Sequence, residues 1–167
     1  MKRLLKMLFA LLLISATLFS TVSCGEKDYK DYSVSGLSFR LPKDMKEINV
    51  NYSNISYWNG EAEFFAEPIP RDALLSEYIL DKDITATEFS EVLVAVNGYE
   101  NVEKTYDEVR DSVTLSYVYE PEEQYYCDFI IRNEEVLYLV TMCCDVEYME
   151  KYKPIFKEWI SNISIEK

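Results

Sequence analysis

Histidine is missing from all 167 residues of the chain. Its absence removes the commonest general base and the commonest transition-metal ligand, leaving any catalysis to carboxylates, Lys, Tyr or Cys. Glycine and proline are scarce, at 4 and 5 residues, so long flexible linkers are not on offer. Basic residues are few as well, 17 Lys+Arg against 30 Asp+Glu. Beyond residue 23 the balance is 14 against 30, a net charge of −16. Such a surface repels nucleic acid and anionic lipid head groups, which excludes nucleic-acid binding and favours basic partners or simple solubility. The one long apolar run, Leu8 to Leu18, is roughly a dozen residues and falls short of the ~20 needed to span a membrane.

About half of the chain is apolar, with 14 Tyr and 8 Phe, so a packed core is expected in a chain long enough for one domain. At the N-terminus, Lys2, Arg3 and Lys6 form a basic region ahead of the apolar run, and small residues follow it. This order reads as a secretory signal peptide. Ser23 precedes Cys24 directly, and the segment Thr21-Val22-Ser23-Cys24 resembles the lipobox of bacterial lipoproteins, with Thr21 where that pattern usually has Leu. The resemblance implies cleavage before Cys24, diacylglyceryl modification of its sulfur, and a lipid anchor in the bacterial cell envelope, on the outer face of the cytoplasmic membrane or on the outer membrane. One acyl chain binds a bilayer marginally, whereas two or three hold at ~0.8 kcal/mol per buried methylene. The expected division is a signal peptide over 1–23, a lipidated N-terminus and polar linker over 24–32, and a single domain over 33–167.

Three further cysteines, Cys127, Cys143 and Cys144, raise the question of a disulfide framework in an exported chain. Cys127 lies in the extended run Gln124 to Arg132 and the other two end the run Glu135 to Cys144, with Asn133-Glu134 as a two-residue hairpin turn. That register sets Cys127 opposite Val140. Cys144 is then about 13 Å along the partner strand and Cys143 points to the other face. Disulfides need Cα atoms within roughly 7 Å. The three therefore read as small buried hydrophobes, with a vicinal Cys143–Cys144 bridge as the alternative.

Extended runs are expected around Ser35-Gly36 (Ser33 to Leu41) and around Asn59-Gly60 (Ile55 to Ala66), the latter a strong hairpin signal. A short helix is expected from Asp72 to Leu80. A clearer one runs from Ala86 to Val96, where Thr85 and Glu88 have capping-box spacing, Phe89, Val92, Leu93 and Val96 form a stripe, and Asn97-Gly98 supplies the stop. Strands follow over Val102 to Val109, Ser112 to Tyr119, Gln124 to Arg132 and Glu135 to Cys144. Tyr125, Cys127, Phe129 and Ile131 share one apolar face with Val136, Tyr138, Val140 and Met142, while Ile130, Leu137 and Leu139 make the other face partly apolar. A two-faced sheet needs cover on both sides. The closing segment Val146 to Ser161 carries Met149, Tyr152, Phe156, Trp159 and Ile160 on one stripe. Pro154 in its middle predicts either a kink or a turn before a helix that starts near Lys153. Ile163 to Ile165 closes as a small strand.

The extended "GLSFRLPKDM" (Gly36 to Met45), the middle helix, the meander and the final "FKEWISNISI" (Phe156 to Ile165) together resemble the PsbP-like and DcrB-like superfamily. The resemblance implies an α+β fold, a central antiparallel sheet with helices on both faces. It implies accessory or partner-binding domains without enzymatic activity, and it transfers no binding residue beyond Cys24. No catalytic, cofactor-binding or metal-binding residue set is assigned. The acidic clusters Asp81/Asp83, Asp107/Glu108/Asp111 and Glu120/Glu122/Glu123 lack EF-hand spacing and read as solvated charge. Tyr117, Tyr119, Tyr125, Tyr126 and Tyr138 crowd the meander, either as partly buried sheet residues or as an interface patch. The expectation is a membrane-anchored, non-catalytic binding or accessory domain for a protein partner; the alternative is a small-ligand or metal-ion binder.

Overall fold

A computed structural model describes residues 28–48, 55–76 and 80–166. Two hairpins come first: β1 (Tyr29–Val34) with β2 (Leu37–Pro42), and, after the short β3 (Lys46–Glu47), β4 (Ile55–Trp58) with β5 (Ala62–Pro70). Helices α1 (Arg71–Ser76) and α2 (Ala86–Asn97) follow. The chain then lays down the meander β6 (Glu103–Asp107), β7 (Ser112–Tyr119), β8 (Gln124–Arg132) and β9 (Val136–Asp145), and ends in α3 (Met149–Ser161) and β10 (Ser164–Ile165). All pairings are antiparallel, in a seven-stranded sheet of order β3-β4-β5-β9-β8-β7-β6 and a three-stranded sheet of order β1-β2-β10.

Local chemistry sets the turns. Ser35 and Gly36 both take positive φ, 53° and 81°, which matches the twist of the β1–β2 hairpin. Two other turns share an asparagine device. Asn59 Oδ1 accepts from the amides of Glu61 (3.1 Å) and Ala62 (2.9 Å), and Asn133 Oδ1 accepts from Glu135 (2.9 Å) and Val136 (2.8 Å). The second device corrects the expected place of the two-residue turn. Capping two successive amides moves the turn one residue on, to Glu134-Glu135, with the Asn133 N–H donating to the Val136 carbonyl at 3.0 Å, so Cys127 stands opposite Met142 and Cys144 opposite Tyr125. The shift is by two residues, so every side chain keeps its expected face. Cys127, Cys143 and Cys144 are all free and buried.

The sheet is covered on both sides, as its two apolar faces require. On one face α3 lays down Tyr152, Phe156 and Trp159, buried against Phe64, Tyr125 and Met142, and the three-stranded sheet adds Leu37, Phe39 and Leu41 to the same core. On the other face α1 and α2 contribute Leu74, Ala86 and Phe89 over Ile69, Val113, Leu115, Ile130 and Leu137. The fold is thus α+β with helices on both faces of an antiparallel sheet. Strand β1 begins at Tyr29, inside the segment read as linker, and pairs with β2 in full register. Pro154 lies on the exposed side of a helix that runs through it; a 3₁₀ turn, Val146–Tyr148, precedes α3, so no fresh start at Lys153 is needed.

Candidate functional site

Cys24, the residue expected to carry lipid, lies outside the described residues. The other cysteines are placed where a nucleophile would not work. Burial pushes the Cys127 thiol up to about 12 and Cys144 up to about 11, and Cys143 is raised further, by burial and then by the adjacent Glu63 carboxylate. Thiolate, the reactive form, is suppressed at all three. Among the described residues, no group of three or more Cys, Asp or Glu side chains is arranged to hold a metal ion, and no helix is long and apolar enough to cross a membrane.

The meander tyrosines divide. Tyr117, Tyr125 and Tyr138 are buried, so the reading of partly buried sheet residues holds for them, and Tyr138 Oη donates to the Ser35 carbonyl at 2.6 Å. Tyr126 and Tyr119 reach the surface. They belong to a row of rings: Tyr126 stacks on Tyr117 at 5.5 Å, Tyr117 on Tyr99 at 4.2 Å, and Tyr119 meets Tyr99 edge-on at 6.4 Å. Behind the row lies Asp128, only 3% exposed, whose carboxylate accepts from Tyr117 Oη (2.9 Å) and Thr141 Oγ1 (2.7 Å). Burial raises its carboxyl to about 6, against the pull of those two hydrogen bonds. The buried acid fixes the orientation of Tyr117, and Tyr117 carries Tyr99 on its outer face.

Sequence reasoning missed both Asp128 and Tyr99. A lone carboxylate inside Tyr125-Tyr126-Cys127-Asp128-Phe129-Ile130-Ile131 was the available signal for the first. Tyr99 follows the helix stop at Gly98 and sits in no periodic run, so nothing local marks it.

The tyrosine row opens on a cavity of ≈ 450 Å³ at the far end of β7. Its floor is the β7 edge from Ser116 to Tyr119. One wall is the segment 98–101 and the other is Met149 and Lys153 from α3. Glu100, Glu103 and Glu120 rim it, all exposed, against the single cation Lys153. Lys153 lies 5.6 Å from the Tyr125 ring and 3.6 Å from the Glu150 carboxylate. Val118 and Tyr119 are 40% and 36% exposed there, which makes this corner an apolar and aromatic surface within an acidic frame. A larger cavity of ≈ 900 Å³ sits at the opposite end of β7, beside Gly36, Arg110 and Arg132. Its arginines are occupied: Arg110 donates to the Ile163 carbonyl, and Arg132 donates to the Asp83 and Ile84 carbonyls and pairs with Asp111 at 3.1 Å.

No protein-family model and no curated protein matches the chain. Solved structures do. The solution structure of cyanobacterial PsbP (CyanoP) from Synechocystis sp. PCC 6803 aligns with a TM-score of 0.57 and 17% identity, over 90% of this chain and 99% of that one. The crystal structure of PA94 from Pseudomonas aeruginosa, a protein of unknown function, aligns at 0.44 and 10% identity, over 83% and 98%. At these identities the likeness is one of architecture: the described chain has a PsbP-like fold.

Proposed function

We propose that the chain is an envelope lipoprotein, tethered through Cys24, whose PsbP-like domain is a non-catalytic accessory module that docks a protein partner. The observation that carries this reading is the tyrosine-floored, acid-rimmed groove at the end of β7. Tyrosine combines contact area with a polar tip and is enriched in interfaces. Tyr99 and Tyr119 are presented by a buried network, Asp128 with Tyr117, so they are held in place before any partner arrives, which lowers the entropic cost of binding. The groove holds no histidine and no depressed thiol, and its acids line the rim and not the floor. That arrangement favours recognition over bond-making.

Photo-crosslinking tests the reading. With p-benzoylphenylalanine in place of Tyr119, irradiated cells should yield one reproducible adduct that is absent when the photoprobe replaces exposed Glu158 on the α3 surface. Equal, diffuse labelling from both positions would reject the docking site.

A further inference from the structure

Strand β7 outruns its outer neighbour. Strand β8 pairs with it from Ser112 to Tyr119, but β6 pairs only from Ser112 to Ser116. Tyr117, Val118 and Tyr119 are therefore held on one side and lack a strand on the other. The chain that would extend β6 is drawn off the edge. Gly98 ends α2 in the left-handed conformation at φ 64°, Tyr99 stacks onto the sheet face over Tyr117, and Asn101, at φ 54°, turns the backbone again before β6 begins. Among the described residues, no backbone hydrogen bond joins 98–102 to 117–119.

Free edges of this kind are normally blunted by lysine, proline or a bulge, because unpaired N–H and C=O groups template another strand. Here the three residues are Tyr, Val and Tyr, all good strand formers, and Val118 is 40% exposed. The groove described above straddles this edge, with walls on both faces of the sheet, so a strand laid along it would be flanked on both sides. An added strand alternates its side chains between the two faces. One set would meet Tyr99 and Tyr119, and the other would meet Met149. Charge selects the occupant. Three carboxylates, Glu100, Glu103 and Glu120, face one ammonium, Lys153, on a chain whose net charge is −13. A second copy of this chain would bring the same rim against itself, which costs repulsion.

We propose that the β7 edge at Tyr117–Tyr119 takes an extended, lysine- or arginine-bearing segment of a partner protein as an added strand in line with β6. This rests on the docking reading above and specifies its mode and partner chemistry. The backbone supplies affinity and the acidic rim supplies selection.

The test uses three fluorescently labelled eight-residue probes: acetyl-(Lys-Val)4-amide, acetyl-(Glu-Val)4-amide, and the lysine probe methylated at every backbone nitrogen. Anisotropy should show at least ten-fold tighter binding of the unmethylated lysine probe than of either control. Its saturation should slow amide hydrogen exchange at 117–119 at least ten-fold. Val118→Pro should weaken the lysine probe ten-fold or more. The exposed pair Glu103→Lys with Glu120→Lys should do the same without touching the edge, and it serves if Val118→Pro fails to fold. Equal binding of the methylated probe, unchanged exchange at 117–119, absence of lysine-probe binding, or an edge filled by a stable dimer in light scattering would each overturn strand addition. The two readings fail separately. A Tyr119 crosslink that persists while the peptide arms fail leaves the docking site standing without strand addition. Intact peptide binding with no cellular adduct leaves an edge able to take a basic strand but rejects the docking of a partner protein, and with it the partner as occupant.

Discussion

Asp128 shows how one residue ties stability to pH. Its carboxyl is raised to about 6 from an ordinary 3.8 because burial penalises the charged form. The folded state therefore holds a proton that the unfolded state has released between about pH 4 and 6. The sign follows: the penalty is absent below ~4, grows as pH rises, and is complete above ~6, at about 3 kcal/mol. Glu63, also raised by burial, acts in the same direction, whereas Glu88 and Glu91 are lowered by their hydrogen bonds and oppose it. Asp128→Asn isolates the effect, since hydroxyls of Tyr117 and Thr141 can each donate or accept. Chemical denaturation at pH 4.5 and 7.5 should show the variant's stability relative to the parent rising by about 2 kcal/mol from the lower pH to the higher. A constant difference across that range would assign the pH dependence elsewhere. At Gly36 the constraint is steric. Its φ is 81° and a Cβ there would lie 2.9 Å from Tyr138 Oη, the group that donates to the Ser35 carbonyl. Gly36→Ala should cost about 2 kcal/mol in the same assay, from the left-handed backbone together with the displaced hydroxyl.

At the scale of elements, the two ends of α2 were legible and its apolar stripe only in part: Phe89 is buried as expected, but Val96 is 78% exposed and the polar Ser90 is buried. Its capping box is complete: Glu88 N–H donates to Thr85 Oγ1 at 3.1 Å, and Thr85 N–H donates to Glu88 Oε2 at 2.9 Å. Thr85→Ala should cost about 1 kcal/mol, read as a lower thermal midpoint. Strands β7 and β8 and the aromatic stripe of α3 were plainer, because period-2 and period-3.6 patterns report directly on which face is buried. What the patterns did not carry was register. The β8–β9 pairing depends on Asn133 capping two amides, a side-chain choice that hydrophobicity does not encode. Nor did they carry the continuity of α3 through Pro154, where the preceding 3₁₀ turn and the packing of Tyr152, Phe156 and Trp159 outweigh the missing donor. The candidate site was less legible than the fold. It arises where β6 stops one residue short of Tyr117, and a strand's length relative to its neighbour is a property of the pair and not of either sequence.

For the molecule as a whole, the question is what would keep so acidic a body at a membrane. The described residues contain no helix able to span a bilayer. Beyond residue 23 the chain carries 14 Lys+Arg against 30 Asp+Glu, a charge that anionic head groups repel. In the lipoprotein proposed above, retention would fall to lipid at Cys24, five residues before strand β1 starts at Tyr29, a span of at most about 17 Å. Such a leash would keep the body within a few Debye lengths of the surface. A partner for the β7 groove would be met there, presenting a basic extended segment near the bilayer. Cys24→Ala removes the anchor in this account. In fractionated cells the variant should run as an unprocessed precursor or leave the membrane pellet, and it should no longer incorporate an alkyne-labelled fatty acid. Because its folded domain is unchanged, it should keep the parent's thermal midpoint while losing the Tyr119 crosslink to any membrane-bound partner. A variant that still matures and stays in the pellet would place the anchor elsewhere in the chain.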